Sequence, residues 1–157
     1  MAPQRKGTMR RALSIVAAAL AGCVLGLVGF GLYYSDATSY LGSDPATCAN
    51  CHVMKDQYAS WMKGPHASVA TCDDCHLPHG DVLSEYLVKI EDGALHGTKF
   101  TLGTYPQNIR IRQSSLDVTN GACLYCHGDL TNDMRNATQA AGESTTCTRC
   151  HANVGHQ

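Results

Sequence analysis

The sequence predicts a mainly α-helical chain with much loop: one N-terminal transmembrane helix, then a compact domain with few or no strands. Three observations predict it. An uncharged, apolar run occupies residues 12–34. Four copies of Cys-x-x-Cys-His follow it. The 123 residues after Tyr34 are divided among those four motifs, about 30 to each. A unit that small cannot build a large side-chain core of its own.

The apolar run, ALSIVAAALAGCVLGLVGFGLYY, is 23 residues long, and a helix needs about 20 apolar residues to cross a bilayer. Arg5, Lys6, Arg10 and Arg11 precede it, with no acidic residue among them. Basic residues at one end of a span keep that end in the cytoplasm. Residues 1–11 are therefore expected as a cytoplasmic tail, 12–34 as the anchor, and 35–157 as a domain facing the periplasm from a bacterial inner membrane. A cleaved signal peptide has a shorter apolar core, of about 7–15 residues. Leu20-Ala21-Gly22-Cys23 resembles a lipoprotein processing box, yet eleven uncharged residues follow Cys23 where a processed lipoprotein would turn polar. Tyr33, Tyr34 and Tyr40 suit the outer interface, where amphipathic aromatics collect. After Tyr34, eight basic and thirteen acidic residues leave a formal charge of −5. No nucleic acid is expected as a partner.

The motifs are Cys48-Ala-Asn-Cys51-His52, Cys72-Asp-Asp-Cys75-His76, Cys123-Leu-Tyr-Cys126-His127 and Cys147-Thr-Arg-Cys150-His151. This spacing marks covalent c-type haem attachment. Two thiols form thioethers to the vinyl groups, and the adjacent His is held against the iron. Paired Cys-x-x-Cys elements also make tetrahedral zinc sites, but zinc gives no reason for a His directly after every second cysteine. The motifs use eight of nine cysteines and leave only Cys23, so no disulfide framework remains to be built. Four covalently bound c-type haems are expected, with the macrocycles serving as the core.

Cys48 to Cys72 and Cys123 to Cys147 are both 24 residues apart. The chain therefore reads as two di-haem units, about 44–80 and 119–157, an internal repeat. The repeat does not extend to the second axial ligands. His66 lies six residues before Cys72, where the second half has Ala141; His156 lies five after His151, where the first half has Asp81. His66 and His156 are the candidate distal ligands. His79 reads as a surface or supporting residue. Segment 128–146 has no His, and its Met134 is a weak substitute. At least one haem is therefore expected to lack a distal ligand from this chain.

Between the halves, residues 81–97 read as a linker helix. Val82, Leu83, Tyr86, Leu87, Ile90 and Ala94 recur at helical spacing, with Asp81 as N-cap. Glu85, Lys89, Asp92 and His96 line another stripe, four, three and four residues apart. One reading is a solvated stripe with a Lys89–Asp92 ion pair. The other is a proton-handling group beside a haem, because quinol oxidation releases two protons with its two electrons and requires a base.

The chain resembles the membrane-anchored tetrahaem quinol dehydrogenases of the NapC/NrfH family. The resemblance is carried by Tyr40-Leu41-Gly42-Ser43-Asp44-Pro45, Cys48-Ala-Asn-Cys51-His52-Val-Met54, Trp61 with Pro65-His66-Ala67, and Cys75-His76-Leu-Pro-His79. Lys89-Ile-Glu-Asp92-Gly93 and Thr101-Leu-Gly-Thr-Tyr105 complete it. It implies menaquinol as electron donor and the first haem as the place of quinol oxidation. It implies Met54 as that haem's proximal ligand in place of His52, and Asp92 close to its iron on the open side. It further implies that Lys89 helps to bind the quinol, that His66 and His156 are distal ligands, and that His96 has a lesser claim to any role. It implies a hetero-oligomer with a catalytic multihaem nitrite reductase subunit, which in some relatives completes one haem. The other reading is an adaptor for a periplasmic nitrate reductase or another terminal reductase, without a dedicated quinol site.

Overall fold

The computed structural model describes residues 3–140, 142 and 146–156, and of residues 3–6 the backbone alone. The side chains of Arg5 and Lys6, and position Ala141, lie outside the described residues. The chain divides into two compact units, Met1–Gly42 and Ser43–Gln157. Among the described residues there are helices, turns and loops and no strand.

The first unit is dominated by α1, Pro3–Tyr34. It begins well before the anchor expected from Ala12. Pro3 at the first helical position has its φ preset and loses no hydrogen bond there, and the basic tail holds no strong helix breaker. Gly7–Tyr34 is long and apolar enough to cross a membrane. Ser35 N–H donates to the Gly31 carbonyl at 3.0 Å, and Asp36 at φ 50° turns the chain into a short 3-10 turn, Ala37–Leu41.

The second unit carries every motif. α2 (Pro45–Cys48) is capped by Asp44, whose side chain accepts from the Ala46 N–H at 2.9 Å. A 3-10 turn, His52–Met54, leads into α3, Lys55–Trp61. α4 (Cys72–His76) contains the second motif and starts in a capping box. Asp74 accepts from the Thr71 N–H at 2.7 Å while the Asp74 N–H donates to Thr71 Oγ1 at 3.4 Å. Those bonds to Thr71 hold the Asp74 carboxyl below its ordinary range. α5 is Val82–Leu102, α6 is Gln113–His127 with the third motif at its C-terminal end, α7 is Asn132–Ala140, and α8 is Cys147–Cys150. Thr148 N–H donates to Asn120 Oδ1 at 3.2 Å, which ties the first turn of α8 to α6.

α5 begins where the linker helix was expected, with Asp81 accepting from Ser84 N–H at 3.0 Å. It ends five residues later than expected. Gly97 does not stop it; the stop is Gly103, in the left-handed region at φ 63°. The apolar positions Leu83, Leu87 and Ile90 remain exposed to the extent of 67%, 58% and 67%.

Side chains alone form almost no core. Leu77 and Ala122 are the buried hydrophobics among the described residues. One follows α4 and the other lies on α6, and α4 packs on α6 more extensively than any other pair of elements. The second and third motifs therefore meet across the two expected halves.

Candidate functional site

The second, third and fourth motifs each place both cysteines on one helical turn, which a spacing of three fits, whereas in the first Cys48 ends α2 and Cys51 is extended. The first thiols of the motifs neighbour one another, Cys48 beside Cys72 and Cys123 beside Cys147. The Cys72 thiol is pushed up by its neighbour Cys48 and by burial, and the Cys48 thiol is pulled down by Cys72. Cys75 lies within electrostatic reach of Cys126. The motifs thus neighbour one another in chain order. Among the described residues, no three or more His, Cys, Asp or Glu side chains cluster together.

The histidines come together in two pairs. The His76 and His156 rings are 6.0 Å apart between centroids, at 25°. The His66 and His127 rings are 6.2 Å apart, at 88°. Two imidazoles on opposite sides of one metal atom, each nitrogen about 2 Å from it, place their centroids about 6 Å apart however the rings are turned about that axis. Both pairs therefore fit a single iron between them, as haem ligation requires. Each pair joins a motif histidine to a histidine remote in sequence.

The surroundings support this use. His156 Nδ1 donates to the Gln57 carbonyl at 3.1 Å, and a ring held through one nitrogen offers the other as a ligand. Gly64 lets the chain before His156 come close. A Cβ there would stand 3.1 Å from the Trp61 carbonyl oxygen and 3.4 Å from that of Val154. Burial, and after it the neighbouring His156, pushes the His76 imidazole down, towards the neutral form that ligates a metal. His79 takes neither place. It stacks on Tyr125 at 4.2 Å and 2°, and its Nε2 lies 2.8 Å from the Asp74 carbonyl oxygen.

The first and fourth motifs differ. His52 is exposed and meets the Phe100 ring edge-on at 5.7 Å, while Met54 is half-buried. His151 and His96 are exposed, and so is Met134.

Among the ion pairs of the described residues, the Lys89–Asp92 pair expected for a solvated stripe is not found. Lys89 Nζ instead meets Asp73 Oδ2 at 2.8 Å, within the second motif, and its charge acts on Cys48 in the first. Asp92 pairs with Arg112, which also holds Glu91 at 2.8 Å. Both partners are brought in by other elements, α4 and the start of α6. Spacing along α5 gave no sign of either. Arg112 was the functional candidate that sequence reasoning missed. The one signal was an arginine at a helix start, where Ser, Thr, Asp or Asn is preferred.

Comparison with known proteins places this geometry in a family. The model of the NapC/NirT cytochrome c family, N-terminal region, matches residues 8–157. The chain is 39% identical over 141 residues to the cytochrome c-type protein NrfH of Wolinella succinogenes, covering 84% of this chain and 79% of that protein. It is 28% identical over 148 residues to the tetraheme c-type cytochrome CymA of Shewanella oneidensis, covering 90% and 70%. Among solved structures it is similar to a chain of the cytochrome c nitrite reductase NrfHA complex bound to the HQNO inhibitor. The TM-score is 0.63 at 30% identity, covering 92% of this chain and 90% of that one.

Proposed function

Because the chain belongs to the NapC/NirT cytochrome c family, we propose that it is a menaquinol-oxidising tetrahaem cytochrome c. In this reading α1 anchors it in the bacterial inner membrane and the haem domain faces the periplasm. It passes electrons to a catalytic multihaem nitrite reductase subunit with which it forms a hetero-oligomer. One observation carries the reading: the likeness to NrfH and to the NrfHA complex extends over most of the chain, and the family match spans the apolar helix and all four motifs.

The haems, when bound through the eight motif cysteines, supply one-electron carriers. The protein's residues do the rest. His76 with His156 would hold the second haem, and His127 with His66 the third. His151 would hold the fourth, whose other side a residue of the partner can complete. Met54, with His52 as the other candidate, would hold the first and leave its far side open. Asp92 would stand on that side and would accept the protons that the quinol loses with its two electrons. Lys89, kept in place by Asp73, helps to position the quinol oxygen. Sequential proton acceptance by a fixed carboxylate is the kind of step that contributes about 10²–10⁴-fold to a rate.

The test is a spectrum and a turnover measurement on the detergent-purified chain. A high-spin, open haem that is reduced by menaquinol, with electrons passing on to a nitrite reductase, is the expected result. Uniformly low-spin haem with no quinol reduction would instead favour an adaptor for a nitrate reductase or another terminal enzyme, the role the NapC members of the family leave in play. Nitrite reduction by the isolated chain with an artificial donor would overturn both.

A further inference from the structure

The Arg112 cluster carries one step more, which rests on the quinol reading. Arg112 is the N-cap of α6 and makes no side-chain cap hydrogen bond. Its position is unfavourable on local grounds. The residue is not a capping type, and a cation at a helix N-terminus opposes the helix dipole. The side chain instead crosses to α5. Nη1 donates to Glu91 Oε1 at 2.8 Å, Nη2 donates to Asp92 Oδ1, and Nη2 also stands 3.4 Å from Ser115 Oγ. A planar fork with fixed donors suits two carboxylates on consecutive residues, which a lysine cannot span in the same way.

The two carboxylates are not equivalent. The Glu91 side chain is 57% exposed and that of Asp92 is 19% exposed. Solvent screens the first contact, so the contact to Asp92 is the stronger one. Asp92 also lies on the stretch of α5 that passes the first motif. Three residues earlier, Lys89 acts on Cys48; eight residues later, Phe100 lies against His52. On its other side, α6 continues to Cys123, Cys126 and His127.

We propose that Arg112 is a positioning residue for quinol oxidation. It engages one oxygen of Asp92, fixes that carboxylate in a single rotamer, and leaves the second oxygen directed at the quinol hydroxyl. Glu91 anchors the fork from the solvent side. The arginine does not touch the quinol and acts through Asp92.

The experiment compares Arg112→Gln, Arg112→Lys and Asp92→Asn in the full-length, haem-loaded chain in detergent. Haem reduction is followed by stopped flow, with 2,3-dimethyl-1,4-naphthoquinol and, separately, with dithionite, which bypasses any quinol site. Arg112→Gln should lower the saturating quinol rate by about 10- to 100-fold, as for a misplaced catalytic group. The half-saturating concentration should change by less than about threefold, and the dithionite rate should hold. Arg112→Lys should recover part of the loss, since it keeps the charge and loses the fork. In an equilibrium redox titration, Arg112→Gln should shift the first haem to lower potential, because a nearby cation is gone. If Arg112→Gln leaves the quinol rate and the titration unchanged while Asp92→Asn slows the reaction, the positioning role is wrong and the quinol reading stands. If Asp92→Asn has no effect, the reading of Asp92 fails and the role of Arg112 fails with it. A parallel loss of the dithionite rate would show a structural role and would overturn the proposal.

Discussion

The inner two motifs and the outer two contain the same five-residue pattern but lie in different surroundings. His76 and His127 each face a second histidine at 6.0–6.2 Å. His52 faces a phenylalanine, and His151 is exposed. Under the proposed ligation, the middle of the chain is closed to added ligands and the two ends are open. A closed six-coordinate haem can pass electrons but offers no free coordination site, whereas an open one can meet a donor or be completed by a partner. Under that ligation, identical attachment with unequal surroundings would separate conduction from entry and exit.

The largest test of that contrast is at the entry end. Asp92→Asn should reduce menaquinol oxidation by about 100-fold or more, while the pyridine haemochrome assay still finds all four haems. Retained turnover would remove the functional distinction of the first motif. The next largest effect is spectroscopic. His66→Ala and His156→Ala should each convert one inner haem from low spin to high spin, and electron paramagnetic resonance should show two different haems affected. If both variants changed the same haem, the pairing of His66 with His127 and of His156 with His76 would be wrong. Added imidazole should then bind at the outer haems of the parent chain and leave the inner ones unchanged in optical titration. A smaller effect is expected for Lys89→Gln, which removes the Asp73 pair beside the first two motifs. Quinol reduction should slow by a few-fold, and stability should fall by about 1–3 kcal/mol, because the Asp73 oxygen that Lys89 meets is buried and would be left unpaired. Smallest of all, Thr71→Ala should remove the capping box of α4 and lower stability by about 1 kcal/mol, measured by urea unfolding, with no change at either open end.

How much of this was legible in the sequence depends on the range of each interaction. The motifs, the apolar helix and the Asp81 cap are local patterns; the helix ends at Tyr34 as expected but starts nine residues before Ala12. The end of α5 was misjudged because Gly97 and Gly103 look alike in sequence, and only the second takes a positive φ. His66 and His156 were legible as unclaimed histidines near motifs, but their partners were not, because each partner belongs to a motif far along the chain. Lys89 and Asp92 were legible as neighbours on one stripe, with an ion pair between them as one of two readings; the structure gives each of them another partner. Their actual partners, Asp73 and Arg112, arrive through the packing of α4 and α6, which no periodicity encodes. That side chains alone supply little core was expected from the domain's length together with its four motifs; among the described residues Leu77 and Ala122 are the buried hydrophobics.

The order of the paired histidines along the chain has a further consequence. The pairs run 66 to 127 and 76 to 156, so the two loops they close overlap without nesting. Under the proposed ligation, each pair would become a cross-link threaded through the span of the other. A covalent cross-link closing a loop of 60 to 80 residues restrains an unfolded chain by about 4 kcal/mol, and crossed links restrain it jointly. The two inner haems would then hold the topology of the domain as well as carry charge, and releasing one ligand would loosen the segment that presents another.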